Sequence, residues 1–216
     1  MSRNARKSLG GIVYHVLNRA HNRMTLFATG QDYEAFESVL VEAYHRLPTR
    51  ILAYCVMPNH WHLVLWPEQD GQLSKFLQWL TATHARRWRM NHQSVGLGYV
   101  YQDRFKSFPV EEDEHLLTVC RYVERNPLTA KLVRRAEQWR WSSLWRRVQS
   151  DRRAAMSWLA RWPVRPSSLE EWLTLVSGPQ NEKELSRLQL CSERGTPFGT
   201  DAWRDRVARG TEELSP

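Results

Sequence analysis

The sequence lacks an apolar run long enough to cross a bilayer, and its first eleven residues are basic and polar with no hydrophobic segment behind them. A transmembrane helix needs about 20 predominantly apolar residues, and a secretory signal needs a hydrophobic core after its basic start. We therefore expect neither a membrane span nor a secretory signal, and the cytoplasm is the expected location.

Cysteine is also scarce. The three cysteines, Cys55, Cys120 and Cys191, lie far apart and none belongs to a Cys-x-x-Cys pair. We therefore interpret Cys55 and Cys120 as small core residues rather than as disulfide or zinc partners. Internal repeats and low-complexity tracts are missing as well. The 216 residues suffice for one domain with an appendage or for two small domains.

Acidic residues are fewer than basic ones, which gives a formal net charge of +8 and a pI near 9.7. Such a balance suggests a polyanionic partner without naming one. The excess is concentrated in residues 121–165, which hold twelve Arg or Lys against three acids. The same segment holds five tryptophans: Trp139, Trp141, Trp145, Trp158 and Trp162.

Arginine interleaved with tryptophan suits a nucleic acid with accessible bases. Guanidinium groups bind phosphate, and an aromatic face that stacks on a base contributes about 1–3 kcal/mol. The alternative is that the tryptophans pack helices onto the core while the arginines are simply solvated. We expect that alternative to hold for about half of the tryptophans.

Two histidines lie in a predicted β-hairpin. Residues 51–56 and 61–66 are apolar runs, and the turn signal Met57-Pro58-Asn59 separates them. Because successive strand side chains alternate between faces, His60 and His62 project from the same side. Two imidazoles held in this way form two corners of a divalent-metal site. The alternative is a polar stripe on a half-exposed strand.

A tyrosine and an asparagine share one face of a predicted helix about sixty residues further on. Tyr122 and Asn126 are four residues apart, and Pro127 predicts that the helix ends at Asn126. A nucleophilic hydroxyl and an amide oxygen would then face the two histidines; alternatively, Tyr122 is an ordinary half-buried tyrosine. Acids at 111–114 favour the helix start, and apolar residues recur at helical spacing: Leu116, Val119, Cys120 and Val123.

The remaining patterns complete a βαββαβ order. Right-handed crossovers then give a ferredoxin-like α+β fold, a four-stranded antiparallel sheet backed by two helices. The first strand and the histidine strand would be central, and the Tyr122 helix would cross the face to which the histidines point. We predict a catalytic domain at 8–135 and a basic, Trp-rich helical C-terminal extension at 136–216. The other predicted elements are strands at 12–18 and 104–110 and helices at 32–46 and 73–90.

Several motifs resemble those of a known family, the single-tyrosine HUH transposases, and more narrowly the REP-associated tyrosine transposases of bacteria. Three of them are residues 57–64 (MPNHWHLV), 101–107 (YQDRFKS) and 121–127 (RYVERNP). The resemblance spans roughly residues 10 to 205 in the family's order. Further matches are residues 14–19 (YHVLNR), 139–143 (WRWSS), 194–199 (RGTPFG) and Trp203.

This resemblance implies a metal-dependent endonuclease and strand transferase that acts on single-stranded DNA hairpins of the REP type. Tyr122 would be the nucleophile that forms a 5′-phosphotyrosine intermediate. His60, His62 and Asn126 would hold Mg²⁺ or Mn²⁺, with Asn126 the weakest ligand. The protein would act as a monomer or homodimer. The residues predicted to bind DNA are Arg19, Arg104, Lys106, Arg121, Arg125, Arg134, Arg135, Arg146 and Arg147.

Two other functions compete with this one. The first is a REP-hairpin binding protein that has lost its chemistry, which the presence of His60, His62, Tyr122 and Asn126 disfavours. The second is a metal-stabilised interaction protein without nucleic acid, which the basic cluster at 121–165 disfavours.

Overall fold

The computed structural model describes residues 8–93, 98–149 and 158–213. Its four strands form one antiparallel sheet in the order β2-β3-β1-β4. The predicted α+β sheet is therefore confirmed, with the first strand and the histidine strand at its centre. In the described ranges no helix is both long and apolar enough to cross a membrane. The strands are β1 (Val13–Arg19), β2 (Arg50–Met57), β3 (His60–Trp66) and β4 (Lys106–Val110).

Two helices, α1 (Gly30–Arg46) and α2 (Gln72–Asn91), cover one face of the sheet. Thr29 is the N-cap of α1, and the Asp32 carboxylate accepts hydrogen bonds from the Thr29 N–H at 2.8 Å and from its hydroxyl at 3.0 Å. The helix thus starts two residues before the predicted position. This face holds the first core, whose fully buried members include Phe36, Leu40, Trp61, Leu63, Phe76 and Leu80.

The opposite face is crossed by α3 (Glu114–Thr129), which contacts β2, β3 and β4. The prediction that α3 ends at Asn126 is wrong, because the helix continues through Pro127 to Thr129. An interior proline costs about 3 kcal/mol or more. Pro127 is nevertheless buried, and the chain beyond it stays hydrogen-bonded: Ala130 N–H donates to the Asn126 carbonyl at 2.9 Å and Leu132 N–H to the Pro127 carbonyl at 3.0 Å. Burial and these bonds offset the missing donor.

The second core lies between α3 and the sheet and extends into the C-terminal helices. All three cysteines are free and buried, which confirms that Cys55 and Cys120 are core residues. The C-terminal helices are α4 (Ser143–Val148), α5 (Leu169–Ser177), α6 (Glu182–Arg194) and α7 (Asp201–Glu213). They contribute the buried residues Leu144, Trp172, Val176, Leu188, Cys191 and Val207. A separation of the chain at residue 135 stays a prediction.

One buried carboxylate connects α3 to these helices. Glu124 is fully buried and accepts hydrogen bonds from the Ser143 hydroxyl at 2.5 Å and from the Trp172 indole at 2.7 Å. The Arg147 guanidinium lies 3.5 Å from the same carboxylate. Burial raises the pKa of Glu124, and Arg147 with the two hydrogen bonds opposes that rise. Because a buried charge is costly unless paired, this network fixes α4 and α5 against α3.

Candidate active site

The register of the central strands gathers polar side chains on the face that α3 covers. Arg19 of β1 pairs with His60 of β3, and Leu17 pairs with His62. His15 lies two residues before Leu17 and therefore on the same face, diagonal to His62. The His60 and His62 ring centroids are 5.0 Å apart, as the alternation of strand side chains predicts.

His62 is buried, 2% exposed, and has one hydrogen-bond partner among the described residues. Its Nδ1 lies 3.0 Å from His15 Nε2, whereas its Nε2 is buried and unpaired. Burial, followed by the neighbouring His60, His15 and Arg19, holds the pKa of His62 well below its usual value. Burial likewise lowers the pKa of His15 to about 3. Both rings are therefore neutral at physiological pH.

His60 is oriented by its neighbour in the turn. Its Nδ1 lies 2.6 Å from the Asn59 side-chain oxygen, and the Asn59 amide nitrogen approaches the Arg23 carbonyl at 3.5 Å. Because an amide oxygen only accepts, the His60 Nδ1 carries the proton and its Nε2 keeps a lone pair. Burial, with a smaller contribution from Arg19, lowers the pKa of His60 to about 4.

α3 places Tyr122 beside these histidines. Its ring centroid is 5.6 Å from that of His62 and 6.1 Å from that of His15, in edge-on contact with both. Burial raises the pKa of Tyr122, while hydrogen bonding with Asn126 and the charge of Arg19 oppose that rise. The Asn126 amide nitrogen donates to the Tyr122 carbonyl at 3.1 Å.

Tyr122 and part of the predicted DNA-binding set line one cleft of about 510 Å³. Arg19 contributes to it from β1, Arg104 from the segment before β4, and Lys106 from β4 itself. α6 supplies Gln189, Ser192 and Glu193, and the rest of the polar wall comes from Asn18, Gln102 and Asp103. The structure thus joins the candidate nucleophile to three cations, a combination suited to a phosphodiester.

Two other predicted DNA-binding arginines make contacts within the fold. Arg121 donates to the carbonyls of Gly178 at 3.0 Å and Pro179 at 2.8 Å. Arg125 donates to the carbonyls of Val176 and Ser177 at the end of α5. These guanidinium groups satisfy carbonyls that a helix end leaves without partners.

A second pair is held by buried carboxylates. Arg146 lies 2.6 Å from Glu37, and Arg147 donates to the Leu52 carbonyl beside Glu124. Neither residue lines the cleft of Tyr122, and neither do Arg134 and Arg135, which are exposed.

The tryptophans of the basic segment serve packing more than the sequence suggests. Trp139 and Trp162 donate indole hydrogen bonds to β2 carbonyls, and Trp141 stacks on Tyr33 with ring centroids 4.8 Å apart. Trp158 and Trp162 are buried, whereas Trp139 and Trp141 are half-buried against the cores, so that four of the five tryptophans pack onto the fold. Trp145 is half-buried as well. Residues 150–157 of the segment lie outside the described part of the chain.

A further group of metal-ligating side chains lies near the start of α3. Ligand atoms of Glu111, Asp113 and His115 lie within 4.8 Å of one another, a spacing at which they could hold a metal ion. These atoms already serve the fold: Asp113 accepts from the His115 N–H at 2.8 Å, and Glu111 accepts from the Thr200 N–H at 2.6 Å. The unpaired nitrogen of His62 makes the β3 histidines the better candidate for a metal site.

Two contributors to this site were missed in the sequence: His15 and Asn59. His15 and Asn59 both lie inside motifs quoted above, and the alternation of β1 would have placed His15 on the face of Arg19. Its contact with His62 depends on the register between two strands 47 residues apart, which no local pattern reveals.

Residues 8–126 match the family model described as "Transposase IS200 like". A candidate REP-associated tyrosine transposase of Haemophilus influenzae is 25% identical over 129 residues, which cover 56% of this chain and 73% of that protein. A solved structure of a REP-associated tyrosine transposase bound to a REP hairpin is 21% identical with a TM-score of 0.58. That alignment covers 77% of this chain and 96% of that one, a likeness of fold.

Proposed function

The chain belongs to the IS200-like transposase family, and from that premise we propose that it cleaves and rejoins single-stranded DNA at REP-type hairpins. The observation that carries the proposal is the cleft in which Tyr122 lies with Arg19, Arg104 and Lys106, while its ring contacts His62, which in turn contacts His60. The relatives named above support hairpin DNA as the substrate class. A binding protein without chemistry would have no use for a tyrosine between histidines and cations.

The residues present fit a divalent cation. His62 offers an unpaired buried Nε2, and the Asn59 contact leaves His60 Nε2 with its lone pair. Asn126, whose amide nitrogen is bonded to the helix, offers its oxygen as a third ligand. The amide oxygen suits Mg²⁺ or Mn²⁺, ions that keep several water ligands, and the two imidazoles favour Mn²⁺ over the harder Mg²⁺. A bound Mg²⁺ or Mn²⁺ would stabilise the negative charge that builds on the phosphodiester, which is worth several kcal/mol.

Tyr122 attacks the scissile phosphorus in line. A bond forms between the tyrosine oxygen and phosphorus, the bond from phosphorus to the 3′ oxygen breaks, and the phenol proton passes to water. The 3′ oxygen takes a proton and leaves as a hydroxyl, while the other fragment remains as a 5′-phosphotyrosine. One phosphodiester is exchanged for another, so the reverse step rejoins strands at the same site.

The cations of the cleft position the strand. Arg19 lies beside both histidines and Tyr122, so it favours a nearby phosphate and the ionised tyrosine together. Arg104 and Lys106 extend the positive charge along the cleft. Phosphate contacts of this kind fix the position of the strand without reading its sequence, and hairpin choice requires contacts with bases or stem shape.

A covalent-adduct assay tests the proposal. A labelled REP-type hairpin taken from the flanks of the gene, with single-stranded arms, is incubated with the protein and Mn²⁺ and resolved on a denaturing gel. A label that migrates with the protein and disappears after protease treatment supports the strand-transfer function. A shift on a native gel with no denaturation-resistant adduct would instead indicate a binding protein.

A further inference from the structure

The contact between His15 and His62 decides which nitrogen of His62 can bind a metal. A neutral imidazole carries one proton, and the hydrogen bond made by one ring nitrogen fixes the role of the other. If His62 Nδ1 donates to His15 Nε2, the His62 Nε2 lone pair is available. If the proton lies on His15 Nε2, then His62 Nε2 carries a hydrogen and cannot be a ligand.

The surroundings allow His62 Nδ1 one partner among the described residues. Both rings are 2% exposed, so water does not compete for the 3.0 Å contact. His15 is wedged between Phe108, with ring centroids 4.9 Å apart, and the edge of Tyr122. Its Nδ1 is buried without a partner. A buried nitrogen without a hydrogen-bond partner is unfavourable, and an apolar side chain at position 15 would avoid that cost. The presence of an imidazole here therefore indicates a role for its Nε2, which contacts His62.

The second histidine has a matching arrangement. Asn59 holds the Nδ1 of His60 at 2.6 Å, as His15 holds the Nδ1 of His62 at 3.0 Å. Each candidate ligand is thus held through Nδ1 by one neighbour, and its Nε2 is the nitrogen available to a metal. Outer groups that hold the non-ligating nitrogen of a histidine set its tautomer and ring orientation.

We propose that His15 is a positioning residue: it accepts the His62 Nδ1 hydrogen and thereby directs the His62 Nε2 lone pair to a divalent metal. The proposal rests on the proposed function, because it assumes that the β3 histidines bind the ion. Asn59 performs the same task for His60. His15 itself touches neither DNA nor metal.

Mn²⁺ binding to the full chain without DNA tests this role apart from activity. Free Mn²⁺ is measured by electron paramagnetic resonance during titration with manganese chloride. His15→Phe fills the space but cannot accept a hydrogen bond, and we expect Mn²⁺ affinity to fall about 10- to 100-fold. His15→Gln offers an amide oxygen to His62 Nδ1 and should recover most of the affinity.

His84→Phe is the matched control. His84 is equally buried at 2% exposure and bonds one neighbour, the Tyr101 hydroxyl at 2.8 Å, but it packs in the first core on the other face of the sheet. Mn²⁺ affinity should stay within about twofold of wild type in this variant. Equal losses in His15→Phe and His84→Phe would mean general core damage and would overturn the positioning role, as would a His15→Gln variant no better than His15→Phe.

Nitrogen-15 NMR of the wild-type histidines provides a measurement that needs no variant. With saturating Mg²⁺, His62 should show the tautomer protonated at Nδ1; protonation at Nε2 would overturn the inference. The two proposals also fail differently. If wild type and His62→Ala take up Mn²⁺ equally, the metal site itself is wrong and His15 loses its role with it. If His62→Ala loses Mn²⁺ while His15→Phe keeps wild-type affinity, the inference about His15 alone is wrong.

Discussion

Arg19 and His60 face each other as paired residues in the register of the two central strands. The guanidinium opposes protonation of His60 and His62 and favours ionisation of Tyr122. One cation therefore acts on both halves of the site: it adds to the burial that keeps the imidazoles neutral, as metal ligands would have to be, and it favours the phenolate.

Replacing Arg19 by Gln should slow adduct formation at saturating hairpin DNA. Loss of the positive charge raises the pKa of Tyr122 further, and an increase of one in pKa leaves about tenfold less phenolate at a given pH. The rise of the single-turnover rate with pH should therefore move to higher pH. Arg19→Lys, which keeps the charge, should retain most of the wild-type profile, and identical profiles for Gln and wild type would contradict this role.

Tyr122→Phe should abolish the covalent adduct while hairpin affinity stays within about twofold of wild type, because one hydroxyl is removed. Denaturing gels measure the adduct and fluorescence anisotropy the affinity. An adduct formed by the Phe variant would identify another nucleophile. Tyr99, 77% exposed, would be the first to test, since the hydroxyl of Tyr101 is bonded to Trp61 and His84 on the far side of the sheet.

His60→Ala and His62→Ala should each remove most metal-dependent cleavage, on the order of 100-fold or more, and EDTA should have the same effect on wild type. Asn126→Ala should cost less, because a neutral amide is the weakest of the three ligands. Cleavage is followed at fixed Mn²⁺ with hairpin affinity measured alongside. Full activity in EDTA would show that the reaction needs no metal.

The salt dependence of hairpin binding should show how many phosphate contacts the basic side chains of the cleft make. Each phosphate contact to a single strand contributes about −0.7 to the slope of log affinity against log salt. Lys106→Ala, at an exposed position in the cleft, should weaken binding and flatten the slope by about that amount. The double variant Arg134→Ala/Arg135→Ala tests the predicted outer contacts in the same way. Lys131→Ala, exposed outside the cleft, is the control and should leave the slope unchanged.

Acid should destabilise the protein through its buried histidines. Burial lowers the pKa of His84 to about 3, with Asp32 opposing that effect and His92 adding to it. Because the folded pKa lies below the unfolded value of about 6.5, stability is complete above that value and is lost as pH falls from it toward 3. His84 should account for about 2 kcal/mol of the stability lost between pH 7 and 5. Urea unfolding of His84→Phe should show a pH dependence smaller by that amount, and equal dependence would contradict the assignment.

Local patterns were enough to predict the sheet and the common face of His60 and His62. Strand alternation and turn residues are short-range signals, and β1 to β4 follow them closely. The end of α3 was predicted wrongly, because the burial of Pro127 and the bonds beyond it depend on tertiary packing. His15 was missed for a related reason, since its importance arises from strand register.

The basic residues show where composition stops being informative. Arg146 lies 2.6 Å from Glu37, a carboxylate 109 positions away, and Arg147 is held beside the buried Glu124. In the net charge of the sequence, Arg146, Arg147 and Lys106 count equally. In the structure Lys106 is exposed, whereas the guanidinium groups of Arg146 and Arg147 are held within the fold. Whether a basic side chain is exposed to solvent depends on partners that are distant in the sequence. Arg146→Ala or Arg147→Ala would therefore reduce the stability of the fold, so that weaker DNA binding by either variant would not demonstrate a lost DNA contact.

The buried carboxylate of Glu124 affects how the activity of a C-terminally truncated protein should be interpreted. Tyr122 and Glu124 share one turn of α3, so the proposed nucleophile and the anchor of the C-terminal helices move together. A stop codon after Arg161 would remove Trp172 from the carboxylate, the α5 carbonyls from Arg125, and the carbonyls of Gly178 and Pro179 from Arg121. Such a deletion would leave the Glu124 carboxylate with one donor fewer, two residues from Tyr122. Lost activity in a truncated protein would then have two causes, a destabilised α3 and a missing recognition surface. Point variants on α6 would separate these two causes, because they leave the contacts of Glu124 in place.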